Sequence, residues 1–83
     1  PSIQFSTESI QDIQKFFPEK EKQLSFQKII KETLALDPRP GHQRGQMGYK
    51  TYGFRLLDFD VLWSTENNNF SIEKVFKIGS NNL

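Results

Sequence analysis

Leu34-Ala35-Leu36-Asp37-Pro38-Arg39-Pro40 and, after a Gly-rich basic link, Lys50-Thr51-Tyr52-Gly53-Phe54-Arg55-Leu56-Leu57-Asp58-Phe59-Asp60-Val61-Leu62-Trp63 hold the change of period on which the fold turns. Ahead of the link, Phe26, Ile29, Ile30, Thr33 and Leu34 form one helical stripe, while Lys20, Lys22, Gln27, Lys28, Lys31 and Glu32 read as a solvated face. Asp37-Pro38 ends that helix, because the residue before a proline is pushed toward extended backbone. From Lys50 the period is two. Tyr52, Phe54 and Leu56 share one face of a strand, opposite Thr51, Gly53 and Arg55. Asp58 falls in a turn, and Phe59, Val61, Trp63 and Thr65 then alternate with Asp60, Leu62 and Ser64.

Working outward, Ile3 and Phe5 alternate with Ser2 and Gln4 as in a short strand with one buried face. Ser6 and Thr7 offer capping hydroxyls and Glu8 a first-turn acid, so a helix carrying Ile10, Ile13, Phe16 and Phe17 follows. Pro18, tolerated at the first position of a new helix but not inside one, interrupts it, and Glu19 and Glu21 follow where the dipole favours acids, which predicts a helix, a tight break and a second helix. Glu66-Asn67-Asn68-Asn69 is a hairpin turn, and the last strand is read with Phe70, Ile72, Phe76 and Ile78 on one face, opposed by Ser71, Glu73, Val75 and Lys77. The order is strand, helix, helix, strand, strand, strand. It predicts a two-layer α+β domain over residues 1–83, with the helix pair covering one face of a mostly antiparallel sheet.

Eighty-three residues make one small core, burying about 60–65% of the unfolded surface, and eight Phe, two Tyr and one Trp supply much of it. There is no cysteine, so neither a disulfide framework nor a thiolate metal site is available. Eleven Lys and Arg against ten Asp and Glu leave a charge of +1, which argues against phosphate binding by the whole surface but not by a patch. No apolar run approaches the ~20 residues of a membrane span and no signal segment is present, so the reading is cytoplasmic with no membrane partner. Pro1 fits either a chain freed of its initiator Met or a domain of a longer protein.

Gly41, Gly45 and Gly48 sit in no strand-to-helix turn, which excludes the Gly-rich phosphate motifs. His42 is the only imidazole, so no metal site is expected. What remains is a basic and aromatic cluster at the loop: Arg39, His42, Arg44, Tyr49, Lys50, Tyr52 and Arg55. Guanidinium and ammonium groups pair with phosphates, and aromatic rings stack on unpaired bases, a mixture suited to single-stranded or loop RNA. The structural alternative is that Arg39 caps helix carbonyls and the tyrosines belong to the sheet.

The Asp37-Pro38-Arg39-Pro40 signature, Lys50-Thr51-Tyr52, and Asp58-Phe59-Asp60-Val61 with Trp63 resemble the C-terminal domain of the YaeB-type (TrmO) tRNA adenosine methyltransferases. In that family an N-terminal barrel binds S-adenosylmethionine and methylates threonylcarbamoyladenosine beside the anticodon. The resemblance implies an accessory module, not catalytic alone and without a cofactor of its own, whose partners are tRNA and the N-terminal methyltransferase domain. It marks Asp37, Pro38, Arg39 and Pro40 as tRNA-side or interdomain contacts; joined with the basic and aromatic cluster, the RNA-binding set is Asp37, Arg39, His42, Arg44, Lys50 and Tyr52. Gly41-His42 stands where the family usually has Ala-Tyr, which leaves a titratable group in place of a stacking ring. The element order, Arg44-Gly45 and the ending Val75-Phe76-Lys77-Ile78-Gly79 also look like the RelE/ParE toxin fold. That likeness implies a metal-independent ribonuclease using His42, Arg44, Lys50 and Arg55, held by an immunity or antitoxin protein; the tail Ser80-Asn81-Asn82-Leu83 lacks the basic and aromatic residues such toxins place there.

Overall fold

The computed structural model describes residues 2–36, 48–67 and 69–78. Strand β1 (Ile3–Phe5) leads into helix α1 (Thr7–Phe16) and helix α2 (Lys20–Ala35), followed by strands β2 (Tyr49–Leu56), β3 (Phe59–Glu66) and β4 (Asn69–Lys77). The α+β class holds: one four-stranded sheet in the order β1-β4-β3-β2 is covered on one side by the helices. The hairpins β2–β3 and β3–β4 are antiparallel, whereas β1 runs parallel to β4 at the edge. Strands β3 and β4 are the centre of the sheet, and β1 and β2 are its edges.

Helix α1 begins where its cap dictates. Ser6 is extended, its hydroxyl accepts from the Ser9 N–H at 3.0 Å, and the buried Ser9 hydroxyl donates back to the Ser6 carbonyl. The expected tight break falls at Phe17-Pro18, with Glu19 as the N-cap of α2; the Gln23 carboxamide donates to the Phe17 carbonyl at 2.9 Å and ties the break together. The core stripe of α2 is Phe26, Ile30 and Leu34; Ile29 is turned partly outward.

Between β3 and β4 the register shifts at Leu62/Trp63, so that Trp63 faces Ile72 while Leu62 faces Lys74. Glu73 is the extra residue of this bulge. A bulge inverts the alternation beyond it, which corrects the expected face of β4: Val75 is buried and Phe76 is exposed. Because β1 pairs only with Phe70 to Ile72, the rest of that edge is covered by α1. The Ser6 N–H donates to the Ile72 carbonyl, the Ser6 hydroxyl to the Glu73 carbonyl, and the Asp12 carboxylate accepts from the Val75 N–H, all at 2.9 Å. Lys74 reaches Glu8 at 2.8 Å; that hydrogen bond, with the Asp12 charge adding, holds its ammonium above the ordinary lysine pKa.

The turn of the β2–β3 hairpin is Leu57-Asp58, and Leu57 has φ 57° with 69% of its surface exposed. A leucine in the left-handed region costs about 1–2 kcal/mol, part of which a glycine recovers while adding unfolded-state entropy. Leu57→Gly is expected to stabilise the domain by about 0.5–1 kcal/mol, a rise of several degrees in the melting midpoint. A lowered midpoint would show that contacts of the Leu57 side chain outweigh the backbone cost.

Candidate functional site

Strand β2 presents the sequence-predicted residues that the structure describes. Even-numbered positions face the helix layer: Tyr52 opposes Trp63 and stacks on it with centroids 4.9 Å apart at 28°, and Lys50 lies opposite Thr65, exposed. Lys50 and Tyr52 are thus neighbours on one face, about 7 Å apart along the strand. Trp63 is only 1% exposed, and its Nε1–H is buried without a partner among the described residues. Arg55 has the opposite parity and faces the open side, with its Nε 3.9 Å from Asp60 Oδ1 across the hairpin. Lys50 and Arg55 therefore lie on opposite faces, about 16 Å apart along β2. Asp37, Arg39, His42 and Arg44 lie outside the described residues; the chain leaves α2 at Leu36 before them and re-enters at Gly48 after them.

Concavities lie on both sides of the sheet among the described residues. On the open side of the sheet a polar groove of about 430 Å³ crosses all four strands, from Ser2 and Gln4 through Ser71, Glu73 and Ser64 to Glu66 and Tyr49. Sequence reasoning missed it because its residues are scattered along the chain; the signal was that nearly every outward position at this end of the sheet is Ser, Gln, Asn or Glu. On the helix side, Phe17, Phe26, Ile29 and Leu57 line a smaller apolar cleft of about 170 Å³. No group of three or more His, Cys, Asp or Glu able to hold a metal ion occurs among the described residues. None of the described helices is long and apolar enough to cross a membrane.

Comparison with known proteins bears out the likeness read from the Asp-Pro-Arg-Pro and hairpin motifs. A segment of 44 residues, 53% of this chain, is 41% identical to a tRNA (adenine(37)-N6)-methyltransferase of Escherichia coli (strain K12) and covers 19% of that protein. No solved structure matches. The family described as the TrmO C-terminal domain matches residues 2–78, nearly the whole chain, and the chain belongs to that family.

Proposed function

We propose that this domain is the RNA-side accessory module of an S-adenosylmethionine-dependent tRNA methyltransferase acting in the cytoplasm on threonylcarbamoyladenosine beside the anticodon. The supporting observation is membership of the TrmO C-terminal domain family across residues 2–78, together with the 41% identity to an adenine-37 tRNA methyltransferase. Lys50 and Tyr52 stand on one face of an edge strand, next to where the chain returns from Asp37, Arg39, His42 and Arg44. Their chemistry suits phosphates and an unpaired base.

Methyl transfer belongs to a separate N-terminal domain, against which this one packs. S-adenosylmethionine is assigned to that N-terminal domain.

Lys50→Ala and Arg39→Ala are each expected to weaken tRNA binding and to reduce the slope of log K against log salt by about 0.7–0.9, as for one lost phosphate contact. Fluorescence titrations at several salt concentrations read both quantities. Unchanged affinity and slope in both variants would remove tRNA from the partners of this domain.

A further inference from the structure

We infer that the polar groove on the open sheet face is a base-reading pocket that takes an unpaired guanine through its amino and imino donors. The inference rests on the RNA-binding reading above and uses a different surface. The groove holds about 430 Å³, and its only charged lining groups are the carboxylates of Glu66 and Glu73, with no lysine or arginine among its described walls. Such a surface repels phosphate and ribose-phosphate backbone. It favours ligand groups that donate hydrogen bonds.

The pocket is built rather than incidental. The β-bulge makes Glu73 the extra residue of β4, and bulges re-aim side chains in this way. The hydroxyl of Ser64, itself only 3% exposed, donates to Glu73 Oε2 at 2.6 Å and fixes the carboxylate. Its second oxygen, Oε1, has no hydrogen-bond partner among the described residues, and Oε2 keeps a second lone pair, so both oxygens can accept. At the rim, Tyr49 is 60% exposed, a ring free to stack on a base. Guanine presents N1–H and the N2 amino group side by side, a pair of donors that one carboxylate accepts together. Uracil has a single imino donor between two carbonyls, which carboxylates oppose.

Tyr49 and Lys50 are consecutive and point to opposite faces of an edge strand. A single strand crossing that edge sets its phosphate against Lys50 and turns its base over Tyr49 into the groove. An ammonium ligand would also suit the carboxylates and the Tyr49 ring, but it would leave the adjacent cation unused.

The test uses the whole chain and three fluorescent RNA heptamers: uridine throughout, and the same strand with a central guanosine or a central inosine, which keeps the imino donor and lacks the amino group. The guanosine strand is expected to bind about tenfold tighter than either of the others, the discrimination of one bidentate pair. That preference should vanish in Glu73→Gln and fall in Glu66→Gln, an exposed residue whose replacement leaves the sheet intact. Tyr49→Ala should weaken the guanosine strand about tenfold with an unchanged salt slope, unlike Lys50→Ala. Binding of all three strands with equal affinity overturns the groove alone. Absence of binding to any strand or to tRNA overturns the RNA reading and the groove with it.

Discussion

Phe59→Ala should remove a large share of the stability of this domain, a loss of about 3–5 kcal/mol where small domains have about 5–15 in total. Phe59 opens β3, and its ring meets three rings from the helix layer: Phe16 at 5.0 Å, Phe17 at 5.4 Å and Phe26 at 5.3 Å. Phe17 and Phe26 in turn touch each other at 4.8 Å, so one sheet residue joins the end of α1, the link and α2. Truncation leaves a void with three walls that cannot close together. The melting midpoint is expected to fall by well over about 10 °C. Phe76→Ala supplies the contrast: its ring lies on the open face, and the change should cost no more than about 0.5 kcal/mol. A small shift for Phe59→Ala, or a large one for Phe76→Ala, would contradict the packing described.

That contrast marks where the sequence was legible. In β2 and β3 the strict alternation from Tyr52 to Leu56 and from Phe59 to Thr65 assigns the faces correctly, because a sheet with one buried side tolerates no other register. The same reasoning fails in β4, since one inserted residue reverses parity and nothing in Ser71-Ile72-Glu73-Lys74-Val75 announces it. Only the partner strand reveals the bulge. The parallel pairing of β1 is equally hidden, three residues being too few to carry a directional pattern.

The candidate site divides similarly. Residue type points to Lys50 and Tyr52, which share a face; nearness in sequence groups Arg55 with Lys50, but an odd separation along a strand places the two on opposite sides. The polar groove could not be assembled from spacing at all. Ser2 and Ser71 meet there only because the chain returns to lay β4 beside β1.

The same return leaves β4 with an unfinished edge, and Asp12→Ala should expose it. Beyond Ile72 the pairing of β1 with β4 ends on the side away from β3, and Asp12 Oδ2 takes the Val75 N–H at 2.9 Å in place of a strand carbonyl. A hydrogen bond to a charged acceptor contributes about 1.5–3 kcal/mol, so that loss is expected on denaturant unfolding. Asp12→Asn keeps a neutral acceptor at the same position and should retain about half of the contribution. The second consequence is colloidal. An unpaired backbone donor on a sheet edge is a template for another chain, and Val75 sits where β4 is otherwise shielded by α1. Asp12→Ala is therefore expected to show concentration-dependent association on size-exclusion chromatography below its melting range, with Asp12→Asn remaining like the wild type. Equal stability of Asp12→Ala and the wild type would mean that the Val75 N–H finds water as readily as the carboxylate, and that α1 is held against the sheet by its apolar face alone.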